Sequence, residues 1–362
     1  MILLIVPGVA TVPLRVGWRT VSGPGPSGPL DEYEDDTWRP GRRLVRFGVP
    51  GGRYFAAMLN LSGSRSYVVQ ADSGDVLPKL VDGSFELIYI DPPFNTGKSQ
   101  VRKTLRTERS VDGDRVGFQG HAYATSELGR MDYLDVFDDY LGFIGPRLEE
   151  ARRLLTEDGT LYFHIDYREA HYCKVLLDKI FGRENFLNEI IWAYDYGGRA
   201  RDRWPAKHDT ILVYVKNVKA HFFDQNQIER IPYMAPGLVT PEKRERGKLP
   251  TDVWWHTIVP TSGKEKTGYP NQKPEGVLRR VLQPSTRPDA RVLDFFAGSG
   301  TTGAVALEMG RRFVMVDVNP EAVEVMHHRF GASGIEYIDG FGHPLRLANG
   351  EDDASRLFCQ TC

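Results

Sequence analysis

Apolar and polar positions along this chain change their period several times, and each change marks a predicted element. Ser66–Gln70 reads as a short strand. Phe85–Ile90 is a better one, apolar and β-branched, and it runs straight into Asp91-Pro92-Pro93-Phe94. A polar loop is expected from there to about Gly129. Tyr133, Phe137, Tyr140, Ile144, Leu148, Ala151 and Leu155 then recur at spacings of three and four. Such spacing puts all of them on one face and predicts an amphipathic helix of about six turns, interrupted by Pro146. Glu157-Asp158-Gly159 ends it, and Thr160–Ile165 reads as a buried strand. A helix over Ala170–Phe181 and strands over Glu189–Tyr194 and Thr210–Val215 follow. Pro274 opens a helix through Leu282, at an early position where its missing N–H costs nothing. Arg291–Phe296 is then a strand, Thr302–Met309 a helix, Phe313–Val318 a strand and Ala322–Phe330 a last helix.

Strands alternating with helices predict an α/β fold, a mostly parallel sheet covered on both faces. Ligands in such sheets bind beyond the carboxyl ends of the strands. With 362 residues, 41% of them hydrophobic, the chain can build one large domain with an insertion, or two modest ones. The run Met1–Val16 is apolar but far short of the roughly 20 residues that span a bilayer, and no basic segment precedes it. Three scattered cysteines, Cys173, Cys359 and Cys362, make no disulfide framework, and the terminal C-x-x-C lacks a second pair to complete a zinc site. A reduced, cytoplasmic protein without a metal is the expectation.

The net charge is −2, which excludes a wholesale polyanion binder, but the charge is unevenly placed. Tyr196–Pro250 holds 11 Lys and Arg against 6 Asp and Glu, a local +5, and Gly97–Arg115 holds 6 against 3, a local +3. Charge alone fits a polyanion-facing side and an ordinary solvated surface equally well.

Two polar motifs sit at predicted strand ends. Val292 to Gly303 reads as a strand, a glycine turn and a helix start (Asp294-Phe295-Phe296-Ala297-Gly298-Ser299-Gly300-Thr301-Thr302), and Asp317 closes the next strand. Glycines let backbone N–H groups approach a ligand, and a carboxylate at the next strand end can accept from ribose hydroxyls. Gly298, Gly300 and Gly303 also satisfy G-x-G-x-x-G, so this loop alone leaves a nicotinamide oxidoreductase as a full alternative. Asp294 inside the strand weighs against it, because a carboxylate there suits a cationic or amino group better than a pyrophosphate. At the other motif, two prolines after Asp91 fix a rigid extended turn and leave carbonyl oxygens without their own N–H donors. An acidic side chain beside such a carbonyl can hold both hydrogens of an –NH₂ group, and Phe94 offers a face on which a planar base stacks. A base in a duplex reaches such a site only by flipping out.

At these residues the sequence resembles the β-type DNA amino-methyltransferases, in which the catalytic motif precedes the cofactor motif. The resemblance runs from about Tyr67 to Ile338. It includes Ala71-Asp72, Gly159 to Asp166, Leu177 to Phe186, and Gly268-Tyr269-Pro270-Asn271-Gln272-Lys273-Pro274. It implies a Rossmann-like methyltransferase fold with a mostly parallel seven-stranded sheet and an inserted target-recognition region. S-adenosylmethionine is the implied cofactor, held by Asp72, Gln272, Lys273, Asp294, Phe296, Ala297, Gly298, Ser299, Gly300, Thr301 and Asp317. Asp91, Pro92, Pro93 and Phe94 would hold the target base, and Asp rather than Ser at the first position points to adenine N6, with cytosine N4 the alternative. Residues 1–60 are then an accessory or poorly ordered extension, 61–195 the catalytic half, 196–262 the recognition region, 263–340 the cofactor half and 341–362 a tail. The implied partners are double-stranded DNA and either a restriction subunit or a second copy of the chain. Arg199, Arg201, Arg203, Lys207 and Lys243 to Lys248 are candidates for DNA contact. His164 and His208 read as structural.

Overall fold

The computed structural model describes Leu59, Leu61 and residues 65–95, 98–109, 115–116, 122–135, 137–197, 200–260, 262–331 and 334–347. The extension 1–58, Arg199 and the two terminal cysteines therefore lie outside the described residues. In chain order the elements are β1 (Ser66–Gln70), α1 (Ser73–Val76), β2 (Phe85–Ile90), β3 (Lys98–Arg109), β4 (Arg115–Val116), β5 (Ala122–Asp135), α2 (Tyr140–Leu154), β6 (Leu155–Ile165) and α3 (Ala170–Phe181). They continue as β7 (Phe186–Ala193), β8 (His208–Val215), α4 (Pro241–Arg246), β9 (Val253–Trp255), α5 (Glu275–Ser285), β10 (Arg291–Asp294), α6 (Thr301–Glu308), β11 (Arg312–Asp317), α7 (Pro320–Phe330) and β12 (Ile335–Asp339).

Nine strands form one sheet in the order β12-β1-β11-β10-β2-β6-β8-β7-β9, and only β8 runs against the rest. Seven strands thus become nine, because β12 and β9 add one strand at each edge. The apolar sides of α2 and α3 (Ile144, Leu148, Leu177, Phe181) bury one face, with Phe85, Ile88 and Ile90 of β2. Those of α5, α6 and α7 (Val277, Leu278, Val305, Met326) bury the other, with Leu87 and Tyr89. Alternation from Leu87 to Ile90, after a register shift between Phe85 and Leu87, is what lets one strand serve both cores. Among the described residues, no helix is long and apolar enough to cross a membrane.

Three expectations are corrected. The polar loop after Phe94 contains a long antiparallel pair, β3 with β5, from Lys98↔Asp135 to Arg109↔Tyr123. Its sequence is polar on both faces, so no period-2 apolar face announces it. The helix expected from Tyr133 begins at Tyr140, because Tyr133 belongs to β5 and Asp139 caps α2 by accepting from Gly142 N at 2.8 Å. Phe137 still packs against Tyr140 and Phe143 from outside the helix, so its apolar spacing was a staple rather than a turn. Finally, residues 196–262 are no separate insertion: they contain β8, which lies inside the sheet between β6 and β7.

Candidate active site

Asp91 and Asp294 are far apart in the chain but lie at the ends of neighbouring strands. β10 pairs in parallel with β2, Val292 opposite Leu87 and Leu293 opposite Ile88. Adjacent strands are about 4.8 Å apart, so the Asp-Pro-Pro-Phe turn and the glycine turn must leave the sheet side by side. Helices cover opposite faces on either side of this junction, which opens a crevice there. The crevice is a cavity of about 310 Å³, within the usual range of small-molecule sites. Asp72, Asp91, Pro92, Pro93, Phe94, Gln272, Lys273, Asp294, Phe296, Ala297, Gly298, Ser299, Thr301 and Asp317 all line it.

Gly300 does not line it. A Cβ on Gly300 would lie 2.5 Å from Met326 Cγ and 2.6 Å from Phe330 Cζ, so this glycine (φ +70°) lets α7 close onto the turn. Gly298 (φ +50°) does face the cavity; a Cβ there would meet the Tyr269 ring at 3.3 Å. Three backbone N–H groups of the turn already have partners. Gly298 donates to Asp317 Oδ2 at 2.7 Å, Gly300 to Ala297 O at 2.8 Å and Ala297 to Val316 O at 3.1 Å. The glycines therefore supply room and packing rather than the free donors a pyrophosphate needs.

On the glycine side the wall is acidic and aromatic. Asp294 is fully buried; it accepts from Thr302 Oγ1 at 2.7 Å and from Phe296 N at 3.1 Å. Burial dominates over these bonds, and with the nearby charges of Asp91 and Asp317 it pushes the carboxyl up to about 7. Asp317 is likewise raised by burial, against the N–H groups of Asn319 and Gly298. With Val318 these are three backbone donors, which leaves the carboxylate a lone pair for a hydroxyl donor. Asp72 caps α1 through Gly74 N at 2.7 Å and pairs with Arg147 Nη2 at 2.8 Å. Gln272 spends its amide on the chain, accepting from Thr267 N at 2.8 Å and donating to Glu265 O at 2.6 Å. It shapes the rim. This set of carboxylates and rings, with Phe143 and Phe296 6.0 Å apart between centroids, suits a small cationic ligand carrying hydroxyls and a flat apolar part.

On the proline side, Lys273 Nζ forms an ion pair with Asp91 Oδ2 and lies 5.1 Å from the Phe94 ring centroid. The other oxygen, Oδ1, is buried and accepts no hydrogen bond. Behind it stands His164, wholly buried, with Nδ1 3.7 Å from that oxygen and 2.8 Å from Tyr89 Oη. His164 Nε2 faces Asp209 Oδ2 at 3.3 Å, and Tyr194 Oη donates to Asp209 Oδ1 at 3.1 Å. Burial alone would raise Asp209, but the hydrogen bond from His164 holds it below the usual carboxylate range. His164, read from sequence as structural, therefore sits directly behind the site. A signal existed: it is a polar side chain in a continuously apolar strand that ends beside the Asp-Pro-Pro-Phe turn. His208 lines a second cavity of about 780 Å³, which shares Phe94, Asn271, Gln272 and Lys273 with the first.

The basic candidates are more dispersed. Arg201 and Arg203 are exposed, whereas Lys207 donates to the carbonyls of Tyr196 and Gly197 at 2.5 and 2.8 Å. Lys243, Arg244 and Arg246 are exposed on α4 and line neither cavity.

Comparison with known proteins agrees with this geometry. Residues 85–328 match the N6/N4 DNA methylase family. The DNA adenine methyltransferase YhdJ of Escherichia coli is 29% identical over 266 residues, 71% of this chain and 80% of the relative. The type II methyltransferase M.HpaI of Haemophilus parainfluenzae is 30% identical over 266 residues, 73% of this chain and 74% of the relative. Among solved structures, the cytosine-N4-specific PvuII DNA methyltransferase covers 76% of this chain and 98% of its own, with a TM-score of 0.49 and 16% identity. The family match removes the nicotinamide alternative that the glycine motif had left standing. The chain belongs to the N6/N4 DNA methylases, the S-adenosylmethionine-dependent amino-methyltransferases of DNA.

Proposed function

We propose that this chain methylates the N6 amino group of adenine at a specific site in double-stranded DNA. One observation carries the reading: Phe94 and Gly298 line the same cavity, so a base stacked at one and a ligand held at the other can meet. The choice of adenine is supported by Asp at position 91 and by the similarity to an enzyme named as an adenine methyltransferase.

S-adenosylmethionine, when bound, supplies a methyl group activated on a sulfonium. Asp294, Asp317 and Asp72, with Phe296, Ala297, Ser299 and Thr301, are the residues we assign to holding it. Asp91 Oδ1 and the Pro92 carbonyl accept the two amino hydrogens of the flipped base, which turns the nitrogen lone pair away from them and toward the methyl. Lys273 fixes Oδ2 and leaves Oδ1 to the substrate. Phe94 stacks the ring, a contact worth about 1–3 kcal/mol. Direct transfer needs no enzyme nucleophile, so catalysis is orientation and exclusion of water. Cys173 suits no such role, since burial pushes its thiol up to about 12.

Recognition of the site is assigned to the irregular segment after β8, about residues 216–252, together with the connection between β7 and β8. A restriction subunit or a second copy of the chain is the proposed protein partner. A match to part of the EcoP15I Mod subunit of Escherichia coli, 30% identical over 174 residues, supports the first. The test is expression in a host without DNA methylation, then sequencing that detects modified bases. N6-methyladenine at one recurring motif is expected; N4-methylcytosine would overturn the choice of base, and unmodified DNA would overturn the reading.

A further inference from the structure

We propose that Trp204 is the wedge that enters the base stack when the target leaves it, an inference that rests on the DNA-methylating reading above. Residues 194–207 connect β7 to β8, and both strand ends lie at the carboxyl edge of the sheet. Ala193 pairs with His208, and Thr210 of β8 pairs with Ile165 at the end of β6. The connection therefore springs from the same edge as Asp91. Its feet line the 780 Å³ cavity on both sides, Tyr194 and Tyr196 on the way out, Ala206 and His208 on the way back, with Phe94 and Lys273 in the same lining. They are clamped together. Tyr194 N donates to Lys207 O at 3.0 Å, and the Lys207 ammonium reaches the carbonyls of Tyr196 and Gly197.

Above this clamp Trp204 is 95% exposed. An indole presents more apolar area than any other side chain, and nothing in the fold uses it. Pro205 keeps Trp204 out of the helical region, so the ring is carried on an extended, stiffened tip. Arg201 and Arg203 precede it, both exposed, Arg203 paired with Asp202 at 3.3 Å, and from 201 to 207 Asp202 is the one acidic residue against Arg201, Arg203 and Lys207. A cationic projection suits the phosphate backbone, and an aromatic tip beside the base cavity suits the gap that extrusion opens. Trp204 itself lines neither cavity, but the feet of its connection line the larger one; Met234 and Leu238, exposed at 94% and 87%, lie on a segment whose neighbours line neither.

An extruded base loses its stacking and its pairing; a ring in the vacated step blocks its return, and the drive to return is strongest when a pairing partner awaits the base. The contribution is therefore large when the target is paired and small when it is not. The test uses the full chain and duplexes carrying the site that the wild type methylates. In one duplex the target base is paired; in the other it faces an abasic site. Trp204→Ala should lose about tenfold in kcat/KM on the paired duplex, as expected for one lost stacking contact. It should stay within about threefold of wild type on the abasic-opposed duplex, and Trp204→Phe should stay near wild type on both. Quenching of tryptophan emission on binding DNA should shrink in Trp204→Ala. Equal loss on the two duplexes, or none on either, overturns the wedge. Failure of the wild type to methylate either duplex would instead overturn the DNA-methylating reading.

Discussion

Side by side at the carboxyl edge, β10 and β2 each present an aspartate to the cavity, and the two carboxylates meet opposite conditions. Asp294 closes β10 inside the protein, where burial keeps its proton on up to about pH 7. Asp91 begins the turn after β2 in the wall of the first cavity, where Lys273, which lines both cavities, neutralises one oxygen and the other accepts nothing. The same residue type is thus a buried, ligand-responsive charge in one place and a shaped acceptor in the other. Their strands are neighbours, so the difference comes from what covers each end rather than from the strand.

The largest way to break this comparison is to titrate it. The carboxyl of Asp294 is raised from 3.8 unfolded to about 7 folded, so the native chain binds more protons than the unfolded one between those values. Its contribution to stability is greatest below pH 4 and falls as pH rises through the window, by about 4 kcal/mol for three units at 1.36 kcal/mol each. Denaturation midpoints of wild type minus Asp294→Asn, taken from pH 4 to 8, should show that slope. A flat difference would mean that the carboxyl is charged throughout. Bound cationic cofactor should reduce the slope, because it favours the ionised form.

Asp91 should behave in the other way. Asp91→Ala should lower kcat by about 10²–10³-fold, the scale of losing one preorganised polar contact to the reacting group. Cofactor affinity, measured by calorimetry, should stay within about twofold, since the other carboxylates remain (each 1.4 kcal/mol would be tenfold). Normal turnover in this variant would remove Asp91 from the chemistry.

The two glycines give a smaller and sharper contrast. Gly300→Ala drives a Cβ into Met326 and Phe330 at positive φ, so the melting temperature should drop with about 1–3 kcal/mol of stability lost. Gly298→Ala shares the positive φ but meets only the Tyr269 ring, so it should lose less stability than Gly300→Ala and cost more cofactor affinity. Equal effects of the two variants on binding would mean that Gly300 also faces the ligand.

These contrasts mark what could be read from sequence. Seven of the nine strands of the sheet and both motifs were legible because apolar runs ended in Asp-Pro-Pro-Phe and in the glycine turn, and position relative to a strand end is a local property. Whether Gly300 faces ligand or helix depends on α7, which lies more than 20 residues on, and periodicity carries no such information. The β3–β5 pair was invisible because its strands have no apolar face. His164 was legible as a satisfied core histidine, and it is buried and hydrogen-bonded through both ring nitrogens, but only its partners Asp209 and Tyr89, from two other strands, show what it stands behind.

That histidine gives the mildest test. Asp209 is held ionised and can only accept, so His164 Nε2 carries a proton, and in the neutral ring Nδ1 accepts from the Tyr89 hydroxyl. In Asp209→Asn the Tyr194 hydroxyl keeps the amide oxygen, which turns the –NH₂ toward Nε2 and reverses the tautomer, as at other Asp–His pairs. Nδ1 then bears a proton that Tyr89 can take only by turning its own, and the next acceptor within 3.7 Å is Asp91 Oδ1. A donor aimed there competes with the amino group of the substrate. With DNA and cofactor both saturating, kcat should fall by roughly three- to tenfold, about 1 kcal/mol, with unchanged cofactor affinity. The loss should disappear in the double variant Asp209→Asn with His164→Gln if the competing proton is the cause. Were the double variant slower than the single one, His164 would be supporting Asp91 by packing, and the tautomer would be irrelevant.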